Sequence, residues 1–223
     1  MIDEIIPKIK NKKVILFGET HGTKEIPELL STFFNSLSNS EEFDLCLEIP
    51  NEFQEQINSY LDYGDYQILK SIQFFSKEYT LDGRNSKEYV DLIKTIYHIN
   101  SENNKNIKIS CVFPSYSKDQ EEVEKGISEN ILNASKHKKT LSILGNIHAS
   151  KKEIDIVGNK ITPAGFLIHQ KLNGEVFSIL LSPKEGKIFN NEIKEVGFQE
   201  EDPFERNFDY VYKLDRVTPC SFL

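Results

Sequence analysis

Two hydrophobic patterns alternate along the chain. Residues 14–17 form a continuous apolar run, as expected of a strand that is buried on both faces, and residues 43–47 and 141–144 are mostly apolar segments that are also predicted to be strands. Between the first two runs, apolar residues recur three and four positions apart, which places them on one face of a helix; they are Ile26, Leu29, Leu30, Phe33, Phe34 and Leu37. Strands that alternate with helices predict an α/β fold.

The remaining patterns extend this prediction. We expect further strands at 107–113, 176–181 and 187–189 and an edge strand at 210–214. Helices are predicted from Lys24 with Thr23 as N-cap, from Ser86, over 118–137, and between Thr162-Pro163 and Asn173-Gly174. The predicted fold class is α/β: a mainly parallel central sheet with helices on both faces. Without an internal repeat or a low-complexity linker, one domain spanning residues 1–223 is expected.

Three of the apolar runs are followed by polar residues that are capable of chemistry. The first run leads into Glu19 and His21, the second into Glu48, and the 141–144 run into Asn146 and His148. In open α/β sheets, ligands bind beyond the carboxyl ends of the strands. If these strands are parallel neighbours, the sequence predicts a site at the carboxyl ends of the strands.

Each of these residues alone also has an ordinary interpretation. Glu19 would be stabilised near a helix N-terminus, His21 would be a hydrogen-bonded loop residue, Glu48 an exposed loop residue and His148 a helix cap. Two histidines and two acids at three successive strand ends favour a site instead. The other histidines are interpreted as structural or surface residues: His98, His137 and His169.

Charge and composition exclude several classes of partner. The chain has 27 Lys and Arg against 35 Asp and Glu, a formal charge of −8, and no basic stripe with interleaved aromatic residues, so nucleic acid is not an expected partner. No window approaches the roughly 18 apolar residues of a membrane span, and the first residues do not resemble a signal peptide. Three cysteines without a CxxC motif are expected to be buried and reduced, so we expect a cytoplasmic protein.

Common nucleotide and hydrolase motifs are missing from the sequence. There is no GxxxxGK[ST] loop, the first strand is not followed by GxGxxG, and no GxSxG nucleophile elbow occurs. Phosphate binding by these loops and serine hydrolysis of the α/β-hydrolase type are therefore not predicted.

The motifs around the polar strand ends resemble a known superfamily. The segments VILFGETHGTKEIPELL, FDLCLEIP and LSILGNIHASK are similar to those of the superfamily that joins erythromycin esterases, ChaN-type haem-binding proteins and Tiki/TraB proteases. The resemblance assigns Glu19, His21 and Glu48 to the GExHG signature with its partner acid, and Asn146 and His148 to a second histidine motif. Residues 82–86 also resemble a recurring element of ChaN-like members.

That last element would bring Arg84 towards the site. The chain departs from the superfamily in two respects. It is shorter than erythromycin esterases, which carry helical insertions around their macrolide pocket, and it lacks the export signal of ChaN-type proteins. The shared core is therefore expected, whereas macrolide hydrolysis and haem transport are not implied.

The resemblance implies hydrolysis of an ester or an amide/peptide bond in a small-molecule or peptide substrate. In this hypothesis His21, held by Glu48 or Glu19, takes a proton from water. His148, Asn146 or Arg84 then stabilises the oxyanion that forms. Glu19, His21, Glu48 and His148 are the expected catalytic residues, and Arg84 and Asn146 the expected substrate-binding residues.

Three alternatives remain open on the sequence alone. Two histidines and a carboxylate also suit a divalent metal such as Mn²⁺, Fe²⁺, Co²⁺ or Zn²⁺, with open positions for water. A ChaN-like domain would instead hold haem or another cofactor without turnover, through tyrosine or histidine. A degenerate scaffold that acts through partners is the third alternative.

Overall fold

A computed structural model describes residues 2–79, 82–156, 158–197 and 202–223. The strands in these ranges are β1 (Val14–Glu19), β2 (Phe43–Pro50), β3 (Ile109–Phe113), β4 (Lys139–Gly145), β5 (Ile154–Ile156), β6 (Asn159–Ile161), β7 (Val176–Pro183), β8 (Glu185–Asn190), β9 (Glu192–Gly197) and β10 (Tyr210–Leu214). The α-helices are α1 (Ile2–Ile9), α2 (Glu25–Ser38), α3 (Gln54–Tyr63), α4 (Tyr66–Ser71), α5 (Lys87–Asn103), α6 (Gln120–Ala134), α7 (Asn146–Ala149) and α8 (Ala164–Leu172).

Six of the strands form one central sheet in the order β10-β7-β1-β4-β2-β3, and every neighbouring pair is parallel. Strands β5 and β6 form a small antiparallel hairpin, as do β8 and β9. The α/β fold class predicted from the sequence is confirmed. Because β1, β4 and β2 are adjacent, their carboxyl ends lie side by side, which was the condition for the predicted site.

The two faces of the sheet bury separate hydrophobic clusters. Ile15 and Phe17 of β1 point to the face that is covered by α1, α2 and α5, where Phe17, Phe33 and Phe34 make edge-to-face contacts. Their neighbours Val14 and Leu16 point to the other face, with side chains from α6, α7 and α8. Alternate residues of β1 thus contribute to opposite faces, which explains why this strand is a continuous apolar run in the sequence.

The strands run further than their apolar cores suggested. Glu19 and Glu48 are the last or nearly last residues of β1 and β2 rather than loop residues, and both are buried. The interpretation of Glu48 as an exposed loop residue was therefore wrong. Parallel pairing of β1 continues through Glu19, which lies in register with Gly145 and Leu181, whereas the register of β2 with β4 ends at Leu47, one residue before Glu48.

The expected N-cap of α2 was also wrong. The helix is capped at Lys24 without a side-chain hydrogen bond, and the hydroxyl of Thr23 is buried. Thr23 instead pairs with Pro219 in an isolated antiparallel bridge, and the Lys24 N–H donates to the Thr218 carbonyl. A backbone N–H at the start of α2 is therefore bonded by the distant segment around Thr218, and not by the side chain of Thr23 as predicted. The other predicted caps agree: Ser86 caps α5, and Asn173 ends α8 in the left-handed conformation.

The structure also bears on the expectations about membrane spans and about the three cysteines. None of the helices within the described ranges is long and apolar enough to cross a membrane. Cys46, Cys111 and Cys220 are buried free thiols, and burial raises the pKa of Cys111 to about 12. Such thiols are poor nucleophiles at neutral pH.

Candidate functional site

The predicted residues converge at the carboxyl edge of the sheet, around the carboxylate of Glu48. Its Oε1 accepts a hydrogen bond from Arg84 Nη1 at 2.6 Å, and its Oε2 accepts one from the Gly145 N–H at 2.7 Å. The Nε2 atoms of His21 and His148 lie 3.7 and 3.6 Å from its two oxygens. Glu48 therefore contacts both histidines, the arginine and the end of β4.

The charges around Glu48 keep it ionised. Burial by itself raises the pKa of Glu48, but His148, Arg84 and His21 together outweigh burial and hold this pKa below its usual 4.5. The pKa of Arg84 is in turn raised, because Glu48 and Asp82 offset the effect of its own burial. Glu48 is consequently a weak base and acts as a fixed negative charge between the two histidines.

One histidine is held by β1 and α5, in a group that we call the His21 half (Glu19, His21 and Tyr89). His21 Nδ1 lies 2.7 Å from Glu19 Oε1, and the Tyr89 hydroxyl donates to the same oxygen. Glu19 is only 1% exposed, and its Oε2 has no hydrogen-bond partner within the part of the chain that the structure describes. Burial and the charge of Glu19 raise the pKa of Tyr89 well above 10, so this hydroxyl remains a donor.

The other histidine is held by α6, in a group that we call the His148 half (Glu124 and His148). His148 Nδ1 lies 2.8 Å from Glu124 Oε1, which also accepts from Gln120 Nε2 at 2.7 Å. The other oxygen of Glu124 accepts the Ala164 N–H at the start of α8, at 2.8 Å. Both oxygens of this buried carboxylate therefore have donors.

Both histidines have a raised pKa, for the same reason. Burial lowers the pKa of each imidazole, but the hydrogen bond from Nδ1 to a carboxylate and the charge of Glu48 outweigh it, so both pKa values lie above 6.5. Each Nδ1 is tied to an acid, which turns each Nε2 towards Glu48 and the solvent edge; the two rings are 17% and 15% exposed. This orientation leaves Nε2 as the atom for proton transfer.

Glycine at position 145 is required between the two histidines. A Cβ built at Gly145 would lie 2.9 Å from His21 Nε2 and within 3.6 Å of His148 and Glu48. Any side chain here would intrude on the centre of the site. The GNIH motif thus supplies His148, a backbone donor to Glu48 and the space for His21.

A segment that is remote in sequence holds the loops of His21 and Arg84. Residues 217–221 cross both loops: Cys220 N donates to the Gly22 carbonyl, and Lys87 N donates to the Ser221 carbonyl. Buried Glu88 accepts from both the backbone N–H and the hydroxyl of Ser221. His21 and Arg84 are therefore positioned by tertiary contacts that their own motifs do not encode.

Arg84 and Asn146 were both expected to bind substrate, and their side chains differ in how they are held in the structure. Arg84 lies at the centre, bonded to Glu48 and, through Nε, to Asp82 at 2.8 Å, with its guanidinium over the Phe113 ring. Asn146 begins α7 at the same edge, but no side-chain hydrogen bond is recorded for it among the described residues. His98 and His137 are exposed on the surface, and His169 is partly buried outside this cluster.

Two residues of the site were missed by the sequence analysis. Tyr89 lies among the buried apolar residues of α5, and Glu124 is one of four glutamates in α6. Tyr89 lies three residues beyond the Ser86 cap, and its hydroxyl was the one feature in the sequence that could have suggested a role in the site. Glu124 gives no such signal, because only the packing of α6 on β4 and α8 shows that it is buried.

The donor set does not fit a resident metal ion. Both oxygens of Glu48 already accept hydrogen bonds, and the Arg84 guanidinium holds the position beside it where a cation would bind. Within the described ranges, no group of three or more His, Cys, Asp or Glu side chains is arranged to hold a metal. A divalent cation would have to displace a buried ion pair, which is costly.

The residues around the histidines also do not fit haem. Both Nε2 atoms face the ionised side chain of Glu48, which is paired with Arg84, and Arg84 is in turn paired with Asp82. A macrocycle needs apolar walls and an axial ligand, and Tyr89 is buried with its hydroxyl on Glu19. These side chains instead suit a polar reacting group.

Comparison with solved structures identifies the fold. A succinoglycan biosynthesis protein matches 99% of this chain and 92% of its own, with a TM-score of 0.76 and 11% identity. A histidine-to-asparagine mutant of the erythromycin esterase EreC, in its open conformation, matches 87% of this chain and 78% of its own (TM-score 0.65, 10% identity). The haem-binding protein ChaN of Campylobacter jejuni matches 94% and 90% (TM-score 0.56, 15% identity).

The chain has the fold of EreC and ChaN. The resemblance inferred from the GETHG and GNIH motifs is thereby confirmed at the level of the fold. No family model matches the sequence, and no curated protein matches it either. At 10–15% identity the relatives share the architecture, and the chemistry has to be argued from the site itself.

Proposed function

We propose that this chain is a hydrolase of an ester or an amide/peptide bond, in which His21 activates water. One observation carries the proposal: two histidines each bind a buried carboxylate through Nδ1 and face one ionised glutamate, Glu48, through Nε2. Such a pair supplies a general base and a general acid at one place. The residues expected from the sequence to be catalytic, Glu19, His21, Glu48 and His148, are all part of this arrangement.

The reaction proceeds in two proton transfers. His21 Nε2 takes a proton from water while the water oxygen forms a bond to the carbonyl carbon, and the carbonyl oxygen becomes an oxyanion. As the tetrahedral intermediate collapses, the bond to the alcohol or amine breaks, and the leaving group takes a proton from His148 Nε2. Proton exchange with solvent restores both imidazoles.

The surroundings of the two carboxylates decide which histidine is the base. Glu124 is shared among donors from Gln120, Ala164 and His148, which spread and neutralise its charge. Glu19 accepts from Tyr89 and His21 on a single oxygen, so more of its charge acts on His21. That charge stabilises the imidazolium that His21 becomes when it takes the proton from water.

Arg84 would stabilise the oxyanion. Its guanidinium is held by Glu48 and Asp82 and remains charged at all relevant pH values. Preorganised donors of this kind are typically worth about 3 kcal/mol of transition-state stabilisation each. Asn146, at the start of α7, is a second candidate for contact with the substrate.

The comparisons support hydrolysis in general terms only. EreC is an erythromycin esterase, and the proposal takes from it the reaction type and not the macrolide. Residues 1–223 are proposed to act as one domain on a small molecule or a peptide. A cytoplasmic location is proposed on the three free, buried thiols, and nucleic acid is not a proposed partner because of the −8 charge.

The test is a hydrolysis screen on panels of esters and peptides. Wild type is compared with His21→Ala and with His98→Ala, a matched control because His98 is an exposed histidine outside the site. Each protein is assayed after EDTA treatment and with added Mn²⁺. Turnover in wild type and His98→Ala that is lost in His21→Ala and survives EDTA is expected.

Three other results would contradict the proposal. Equal turnover in His21→Ala would remove His21 from the mechanism, and turnover that requires Mn²⁺ would replace water activation by His21 with metal chemistry. An intense Soret band on haem titration, in a protein that hydrolyses none of the panel, would favour cofactor binding of the kind named for ChaN.

A further inference from the structure

A buried glutamate, Glu88, has no part in the proton transfers above. It is the second residue of α5, is 7% exposed and lies next to Tyr89, which belongs to the His21 half. Its Oε1 accepts the Ser221 hydroxyl at 2.6 Å, and its Oε2 accepts the Ser221 N–H at 3.0 Å. Within the described ranges, all side-chain hydrogen bonds of Glu88 come from Ser221, and no ion pair is recorded for it.

Three groups of Ser221 are bonded to the first turn of α5. Besides donating from its N–H and hydroxyl to Glu88, Ser221 accepts the Lys87 N–H on its carbonyl at 2.8 Å. Because hydrogen bonds are directional, bonds on all three groups fix the orientation of this residue as well as its position. Burying a carboxylate without a cation partner is costly, so fixed geometry rather than net stability is what Glu88 contributes.

Cys220 joins this anchor to the two loops that carry the site. Its N–H donates to the carbonyl of Gly22, the residue after His21, at 2.9 Å. Its side chain lies against Gly83, the residue before Arg84. A Cβ on Gly83 would be 3.0 Å from the Cys220 Sγ and 2.5 Å from the Gly22 Cα, so the backbones of the two loops also touch. A shift of Cys220 would therefore displace the backbone beside both His21 and Arg84.

We propose that Glu88 is a positioning residue for the proposed reaction: by holding Ser221, it fixes segment 217–221 against the loops of His21 and Arg84. This inference rests on the proposed function, since the groups that it positions are the base and the oxyanion donor of that reaction. Glu88 itself contacts no reacting atom. Its effect is on geometry, and a misplacement of about 1 Å in an active site can cost roughly a hundredfold in rate.

The test compares wild type with three variants of this contact and one control. Glu88→Ala removes both acceptor oxygens, whereas Glu88→Gln removes the charge but keeps an amide oxygen for the Ser221 hydroxyl. Ser221→Ala removes the hydroxyl and keeps the N–H, so it retains a fold if Glu88→Ala does not. The control is Glu28→Ala, because Glu28 is an exposed glutamate in the first turn of another helix, α2. Thermal unfolding is measured for each protein.

The first readout is the pKa of His21, measured by NMR titration without substrate. Burial lowers this pKa, and the largest charges acting on it are those of Glu19 and Glu48, which raise it above 6.5, and of Arg84. A shift on loss of Glu88 would therefore report displacement of the His21 ring more than loss of the Glu88 charge. A displaced ring loses part of its two carboxylate contacts, so its pKa should fall towards 6.5.

This fall is expected in Glu88→Ala and, to a smaller extent, in Ser221→Ala. The pKa of His21 should keep its wild-type value in Glu88→Gln and in Glu28→Ala. The pKa of His148 is an internal reference, because this ring is held from α6 and not by the loops that Ser221 anchors, and it should change less than that of His21 in Glu88→Ala.

The second readout is turnover of a substrate found in the hydrolysis screen. The value of kcat/KM should fall about tenfold in Glu88→Ala and recover in Glu88→Gln. The rising limb of its pH profile should move to lower pH in Glu88→Ala, together with the pKa of His21.

Three results would overturn the inference: an unchanged pKa of His21 in Glu88→Ala, a fall of equal size at His21 and His148, or the same fall in Glu88→Gln as in Glu88→Ala. A fall at His21 that depends on Glu88 and Ser221, in a protein that hydrolyses none of the panel, would leave the positioning by Glu88 standing and refute the proposed function instead.

Discussion

The two histidines of the site have matching hydrogen-bonded surroundings that differ in one respect. In both halves Nδ1 binds a buried carboxylate and Nε2 faces Glu48, at 3.7 Å for His21 and 3.6 Å for His148. In the His148 half, every oxygen of Glu124 has a donor. In the His21 half, Glu19 has both its donors on one oxygen and none on the other among the described residues.

This difference makes the stabilising contribution of Glu124 larger and the charge that Glu19 exerts on its histidine stronger. A fully bonded buried carboxylate adds stability and fixes the ring of its histidine, at the cost of a diluted charge. A buried carboxylate oxygen without a donor is unfavourable for folding, and it concentrates negative charge on the one imidazole that it holds. In the proposed mechanism, this comparison assigns the role of proton acceptor to His21 and a structural and acid role to His148.

The largest effect is expected for Glu48→Gln, because it removes what the two halves share. Activity should fall about 10⁴-fold, since both histidines lose the charge that raises their pKa and Arg84 loses its main partner. NMR titration should show the pKa of both His21 and His148 lower than in wild type. A variant in which only one of the two pKa values moves would show that the halves are independent.

The next effect separates the two histidines. His21→Gln should lower kcat by about 10³-fold and His148→Gln by about 10²-fold, within the usual range for loss of a general base or acid. The comparison uses an activated ester as well as a simple one, because an activated leaving group needs no proton. His148→Gln should recover most of its activity on the activated ester, and the same recovery in His21→Gln would reverse the assignment.

Substitution by glutamine should affect mainly stability at Glu124 and mainly activity at Glu19. Glu124→Gln breaks a satisfied set of donors and is expected to lower the free energy of unfolding by about 1–3 kcal/mol. That loss corresponds to roughly 2–4 °C of Tm per kcal/mol for a chain of this size. Thermal unfolding of Glu19→Gln should show a smaller loss, because an oxygen without a partner is replaced, while its kcat falls about tenfold. Equal losses of stability would contradict the comparison.

The smallest effect concerns pH. The pKa values of His21 and His148 are raised in the folded protein, so their contribution to stability is complete below about 6.5 and is lost as the pH rises through the folded values. The pKa of Glu48 is lowered, so its contribution is present above about 4.5 and is lost as the pH falls through its folded value. Denaturant unfolding should therefore show maximal stability between pH 4.5 and 6.5. Activity should rise above that range as His21 loses its proton and fall again once His148 is deprotonated, and a profile without the rising limb would exclude His21 as the base.

Much of the site was predictable because its polar residues directly follow strands that are recognisable in the sequence. The runs that precede Glu19, Glu48 and Gly145 are mostly apolar, and parallel strands place their carboxyl ends at one edge. Arg84 was found only through its resemblance to a recurring element, since an Asp-Gly pair before a helix is otherwise a plain turn. Tyr89 and Glu124 escaped because a polar atom on a helix shows its role only when the helix is packed.

What the sequence by itself determined is the alternation of elements, the burial of the strands and the polar residues at their ends, because these depend on local periodicity. Only the tertiary structure decided that Glu19, and not Glu48, holds His21, that Glu124 holds His148, and that residues 217–221 secure the loops of His21 and Arg84. These choices depend on distances between elements that are far apart in the chain. A carboxylate binds whichever donor the packing brings to it, and the periodicity of the sequence carries no record of that distance.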